Sequence, residues 1–205
     1  MKTQMIAIGL AIGAVLLSQC SQEPASQHAG LVTEAKTPHY GGFDSQIKWG
    51  EHIVTVSGCH DCHTPKKMTA FGPVLDSTRL LSGHPADMPA PDVNRAEMEQ
   101  KGLAVTGTLT AWVGPWGTSY TANITSDDTG IGTWSEAQFM RALREGKFKG
   151  LEGSRPLLPP MPWEMYKNMT DDEIKAIYAY LKSTKPVRNI VPAAEPPLAA
   201  KISAK

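Results

Sequence analysis

The chain has 205 residues, and its 20 Lys and Arg balance 20 Asp and Glu to a formal net charge of zero. That balance excludes an electrostatic case for nucleic acid or a strongly acidic partner, and the length allows one domain with additions, or at most two small ones. The 16 Pro and 18 Gly predict long loops between few helices, and three cysteines are too few for a disulfide framework.

Met1-Lys2 supplies a small positive start, and the apolar run Ile6 to Leu17 is short for a bilayer span. Residues 1–20 therefore read as an export signal. The run ends Leu16-Leu17-Ser18-Gln19-Cys20, which resembles a lipoprotein signal whose cysteine becomes the lipid-modified first residue. Gln19 departs from that pattern, where a small residue is usual. The alternative is an ordinary signal cut nearby, with Cys20 removed or free. Either way the chain is expected to be exported to the periplasmic side, and a lipid on Cys20 would anchor it to the membrane. Residues 21–43 are rich in Ser, Gln, Ala, Gly and Thr and read as a flexible tether.

A domain is expected over 44–185. Asp44-Ser45 can cap a helix running from about Ser45 to Val56, with Ile47, Trp49, Ile53, Val54 and Val56 as its apolar residues. Gly50 inside it either admits another helix closely or is a tolerated surface glycine. Gly58 is placed to end the helix. Next comes Cys59-His60-Asp61-Cys62-His63. This C-x-x-C-H run is the attachment signature of a c-type haem. Cys59 and Cys62 can each form a thioether to a vinyl group, and His63 is then held under the iron. His60 fills a variable position and reads as exposed. Thr64-Pro65 turns the chain, and a carbonyl in that turn is expected to accept the His63 ring N–H and fix its tautomer.

Residues 66–120 read as a long loop insertion, punctuated at Phe71-Gly72-Pro73, Gly83-His84-Pro85, Met88-Pro89-Ala90-Pro91 and Gly114-Pro115-Trp116-Gly117. A short polar helix is predicted within Asn94 to Lys101, and a weak strand or hairpin arm within Val105 to Leu109. A loop of this length is usually functional or well packed. Trp112, Trp116 and Tyr120 are candidate apolar cover for a haem edge.

Ser126-Asp127-Asp128-Thr129-Gly130 reads as a solvated turn, because EF-hand calcium spacing is absent. Thr133-Trp134-Ser135-Glu136 predicts a capping box, followed by a helix with Phe139, Met140 and Leu143 inward and Gly146 at its end. Arg141, Arg144, Lys147 and Lys149 make this segment basic, as a docking face or as solvated helix surface. Pro156, Pro159, Pro160 and Pro162 then frame Met161 in a stiff loop. Thr170-Asp171-Asp172-Glu173 is a second capping box. It opens a last helix with Ile174, Ile177, Tyr178 and Leu181 on one stripe, ending near Lys182-Ser183. Residues 186–205 read as a Pro/Ala-rich tail without fixed structure beyond about Val191.

Two other chemistries compete for Cys59 and Cys62. Structural zinc needs four ligands, and no second Cys/His pair stands at finger spacing. A thioredoxin-like dithiol needs a strand before the motif, and here a helix precedes it. For the sixth iron position, Met161 competes with Met68, Met88, Met165, Met169 and His84. The proline frame singles out Met161, since most methionines fill cores. Arg155, Asn123 and Trp163 are candidate partners for haem propionates. A second C-x-x-C-H is absent, so one haem is implied.

Three features stand in order: a helix leading to Cys59-His60-Asp61-Cys62-His63-Thr64-Pro65, the segment Pro159-Pro160-Met161-Pro162-Trp163, and the capped helix that includes Tyr178-Ala179-Tyr180-Leu181. Together they resemble a class I c-type cytochrome. In detail they are similar to bacterial membrane-associated monohaem domains and to the cytochrome subunits of periplasmic dehydrogenases. Asn123-Ile124-Thr125 through Gly130-Ile131-Gly132-Thr133-Trp134, with Phe139 to Arg144, adds to that resemblance. It implies a mainly α, cytochrome c-like fold whose first and last helices cross at nearly a right angle around one covalently bound haem c. It places Cys59 and Cys62 at the thioethers, with His63 and Met161 as the iron ligands. It implies an electron carrier rather than an enzyme, serving a dehydrogenase, reductase or oxidase. The alternatives are a haem enzyme or ligand-binding protein with an open sixth site, or a haem subunit fixed in a larger complex.

Overall fold

A computed structural model describes residues 39–198. The predicted export signal over 1–20, residues 21–38 of the tether and residues 199–205 lie outside the described residues. No helix among the described residues is long and apolar enough to cross a membrane.

Helix α1 spans Gln46–Val56, and Ser45 caps it by accepting from the Lys48 N–H at 3.2 Å. Helix α2, Cys59–His63, is a single turn that begins after Gly58. A hairpin follows, β1 Lys66–Thr69 against β2 Gly72–Leu75. Helix α3 is Arg95–Lys101, with Asn94 as its cap. A second hairpin pairs β3 Ala111–Gly114 with β4 Gly117–Tyr120. Helices α4 Glu136–Glu145 and α5 Trp163–Tyr166 lead to α6 Asp171–Ser183. Regular structure among the described residues is thus mainly helical, with two short hairpins.

Helices α1 and α6 make the most extensive contact between elements. Ile53 and Val54 from α1 meet Ile174, Ala176, Ile177 and Leu181 from α6, and Phe139 and Leu143 of α4 close the cluster. Residues spaced three and four apart share a helix face, so each sequence stripe delivers its apolar side chains to one place. Gly50 sits at the crossing. A Cβ there would overlap the Ala176 carbonyl and lie 2.8 Å from the Tyr180 Cβ. Gly50 is therefore a close-approach glycine, not a surface one. The capping box of α6 is formed as predicted: Thr170 and Glu173 exchange side-chain and backbone hydrogen bonds.

Four expectations need correction. The insertion over 66–120 is more ordered than a loop: besides α3, which falls where a short polar helix is expected, it holds two hairpins. The hairpin arm falls at Ala111–Gly114 rather than Val105 to Leu109, where only Val105 bridges, to Val113. The box at the start of α4 is absent, because Ser135 caps the helix by accepting from Gln138 N–H; the chain enters α4 two residues later than Thr133. The segment after α6 is also fixed, at least to Leu198. Glu195 exchanges backbone hydrogen bonds with Thr118 at 2.8 Å, and Leu198 N–H donates to Glu99. Arg95 pairs with Glu195 at 2.8 Å. A proline-rich segment has few donors of its own, but its carbonyls and polar side chains can still pair with the domain.

Candidate haem site

Helix α2 puts Cys59, Cys62 and His63 on one turn, all half-buried. Lys66 donates from Nζ to the carbonyls of His60, Asp61 and Thr64, a cation placed at the carboxyl end of the turn. Thr64 is fully buried, and its hydroxyl accepts from Leu81 N–H at 2.9 Å. The same hydroxyl meets His60 Nδ1 at 2.9 Å, so His60 is half-buried and engaged rather than exposed.

His63 Nδ1 lies 2.8 Å from the carbonyl oxygen of Ala122. A carbonyl only accepts, so Nδ1 carries the proton and donates. Nε2 is left with its lone pair, the form a metal binds. The acceptor is not in the Thr64-Pro65 turn, as expected, but at a residue 59 positions away. It is brought there by Gly83. Gly83 N–H donates to the His63 carbonyl at 2.8 Å, and His84 N–H donates to the Thr121 carbonyl at 3.0 Å. Gly83 adopts φ +76°, and a Cβ on it would stand 2.5 Å from the Ala122 carbonyl carbon. Burial lowers the pKa of His63 and outweighs the opposing Ala122 bond. The imidazole is therefore neutral at neutral pH, and the bond to Ala122 orients it.

Cys59 and Cys62 are free thiols. Burial pushes the Cys59 thiol up to about 11 and raises that of Cys62. Protonated thiols are poor nucleophiles, which speaks against a reactive dithiol. Among the described residues no group of three or more His, Cys, Asp or Glu is placed to hold a metal ion. Two free thiols on one turn, with a neutral imidazole beside them, fit haem attachment better than zinc or a reactive dithiol.

Met161 is half-buried and packs against the core cluster that Cys59 also touches. Its loop is tied to the motif region from the far side: the Tyr166 hydroxyl donates to the Ser57 carbonyl at 2.7 Å. Met169 packs against the same cluster, so burial does not separate it from Met161, and the proline frame does. Three other rivals stand apart. Met68 and Met165 are each 72% exposed. His84 is fully buried. Its Nε2–H donates to the Met88 carbonyl at 2.8 Å, and its Nδ1 meets Thr110 Oγ1 at 2.9 Å, so neither nitrogen is open to iron.

The proposed propionate partners divide. Asn123 is buried and fully used, bonding Thr129, Val187 and Thr125. Trp163 packs on Gly146. Arg155 is exposed, 3.9 Å over the Phe148 ring, and donates to the Pro156 carbonyl. The basic segment is partly self-paired: Arg144 with Asp171 at 2.6 Å and Arg141 with Glu152 at 3.0 Å. Trp112, Trp116 and Tyr120 belong to the second hairpin, and Tyr120 stacks on His84 at 4.9 Å. Sequence reasoning missed Ala122, Gly83, Ser119 and Tyr166. Only Gly83 had a local signal, and it read as turn punctuation.

The motif order resembles a class I c-type cytochrome, similar to the cytochrome subunits of dehydrogenases, and relatives bear out that resemblance. The chain is 48% identical over 80 residues to one of the subunits of nicotinate dehydrogenase from Pseudomonas putida, covering 38% of this chain and 6% of that protein. It is 41% identical over 75 residues to the fructose dehydrogenase cytochrome subunit of Gluconobacter japonicus, covering 36% of this chain and 15% of the relative. It is 30% identical over 146 residues to the cytochrome c subunit of alcohol dehydrogenase (quinone) of Gluconobacter oxydans, covering 70% of this chain and 23% of the relative. The chain thus spans less than a quarter of the length of each of these relatives. No protein-family model matches it.

Proposed function

We propose that this chain is a monohaem c-type cytochrome that transfers single electrons as a subunit or partner of an exported dehydrogenase. The observation that carries the reading is His63: its Nδ1–H is committed to Ala122, which leaves Nε2 for iron beside two free thiols on the same turn. The relatives, the cytochrome subunit of fructose dehydrogenase and the cytochrome c subunit of alcohol dehydrogenase (quinone), support the same direction and a cytochrome c fold. A dehydrogenase is therefore favoured as partner over a reductase or oxidase.

Haem c supplies a one-electron Fe(III)/Fe(II) couple. The chain's own residues do the rest. Cys59 and Cys62 hold the group covalently, and His63 presents a neutral imidazole whose ring cannot rotate without losing its bond to Ala122. Met161 is the second ligand; a thioether favours Fe(II) and raises the potential. The core against Met161 and Cys59 limits water and keeps the ligands in place. Export to the periplasmic side and lipid attachment at Cys20 belong to the same proposal and rest on the residues of the signal alone.

The test is to express the chain with haem-maturation machinery and record oxidised and reduced spectra of wild type and Met161→Ala. The proposal expects a methionine–iron charge-transfer band in wild type that is lost in the variant. A wild type that binds carbon monoxide readily has an open sixth site and is not this carrier.

A further inference from the structure

The loop that carries Met161 cannot hold itself in place. Of its four residues 159–162, three are proline, so Met161 supplies the one backbone N–H, which donates to Leu158 at 3.3 Å. A loop so poor in donors must be held from outside. The outside donor is Ser119, in β4 of the insertion. Ser119 is buried at 6% exposure, and its hydroxyl donates to the Pro159 carbonyl at 2.7 Å. The same oxygen accepts from Trp116 Nε1–H at 3.0 Å. The directions are forced, because an indole N–H only donates and a carbonyl only accepts. Strand β4 is itself fixed on both edges, by β3 and by Glu195.

We propose that Ser119 is a positioning residue for Met161: it pins the Pro159–Met161 segment to the insertion and so opposes release of the methionine from iron. The proposal rests on the His63 and Met161 ligation proposed above. It also gives the insertion a role, as the brace of the distal loop. Moving Met161 away carries Pro159 with it, because proline-locked backbone bends poorly. The Ser119 bond must then break, stranding a buried hydroxyl and a carbonyl.

The experiment uses the haem-loaded chain. Imidazole is titrated into oxidised wild type, Ser119→Ala, Ser119→Thr and Arg95→Ala, following loss of the methionine–iron band, and thermal midpoints are recorded alongside. Ser119→Ala is expected to bind imidazole about fivefold more tightly, the size of one lost neutral hydrogen bond. Ser119→Thr keeps the hydroxyl and is expected to stay within about twofold of wild type. Arg95→Ala breaks the ion pair to Glu195 away from the loop; it is expected to lower the thermal midpoint and leave imidazole affinity unchanged. Equal affinity in Ser119→Ala and wild type, or an equal gain in Arg95→Ala, overturns the proposal. Should Ser119→Ala not retain haem, Trp116→Phe is read instead. It leaves the Ser119 hydroxyl unanchored and is expected to tighten imidazole binding; no change overturns the proposal. Met161→Ala separates the two claims. If the wild-type band survives in it, the ligation reading fails. If the band is lost and Ser119→Ala still binds imidazole as wild type does, only the role of Ser119 fails.

Discussion

The Tyr166 hydroxyl donates to the Ser57 carbonyl at 2.7 Å, joining residues 109 positions apart. Ser57 closes α1 just before Cys59, and Tyr166 ends the short helix that follows the Met161 loop. Burial pushes the phenol up to about 12, so it stays a donor throughout the neutral range. Tyr166→Phe keeps the ring and removes the donor. The expected loss is about 1 kcal/mol, with one carbonyl left to find water. Denaturant unfolding of the haem-loaded protein checks it, and an unchanged midpoint would refute the tie.

Gly83→Ala tests the acceptor of His63. The new Cβ meets the Ala122 carbonyl at 2.5 Å, in a backbone conformation that L side chains resist. The carbonyl has to move, and the imidazole loses its orientation. The variant is expected to lose about 2 kcal/mol or more of stability and to shift its midpoint potential. Retention of both values would show that Ala122 does not set the ring.

Gly50→Ala probes the α1–α6 crossing. Its Cβ meets backbone rather than a side chain that can swing away. Overpacking of that kind costs about 1–3 kcal/mol. A shift of the unfolding midpoint, with the folded protein's spectrum retained, is the expected pattern. Wild-type stability would place α6 farther from α1 than the structure does.

His84 makes stability depend on pH. Burial holds it below the ordinary histidine range. The folded chain keeps it neutral, while the unfolded chain takes up a proton near pH 6.5. Stability therefore falls as pH drops from about 6.5 toward the lowered folded value. His60 shifts in the same direction. His84→Gln is expected to be less stable at neutral pH and to lose less on acidification than wild type. A parallel pH profile for the two proteins would exclude His84 as a contributor.

Asp76 acts at lower pH. The Thr78 hydroxyl, then Lys67 and Arg79, hold its buried carboxyl well below the usual carboxylate range. Its stabilisation is present above about pH 3.9 and is lost as pH falls toward the lowered folded value. Asp76→Asn removes the ion pairs to Lys67 and Arg79, both at 2.9 Å. The variant should be weaker at neutral pH, and the gap to wild type should close in acid. A gap that persists in acid would assign the loss to packing.

The features legible in the sequence are those encoded in contiguous residues. The Cys59–His63 motif, α1, α3, the inward stripe of α4 and the capped α6 each follow from a local pattern of apolar spacing and capping side chains. What stayed hidden is made by backbone atoms far apart in sequence. No side-chain pattern marks the Ala122 carbonyl as the partner of His63. His84 read as a loop residue and is buried, because Met88 and Thr110 satisfy both its nitrogens. The hairpins lacked strong alternation, since β1 and β2 are mostly exposed and β3 and β4 are buried on both faces.

The pairing of Arg95 with Glu195 closes a loop of 100 residues. Loop-closure entropy grows only slowly with length, so the first tie across such a span bears nearly all of the entropic cost. Each later tie between the same two stretches, such as Leu198 to Glu99 or Glu195 to Thr118, then forms at little further loss. These contacts should form and release as a set. A protease would then find the stretch 190–198 either wholly seated or wholly open, and one cut there would free the insertion from this segment in a single event.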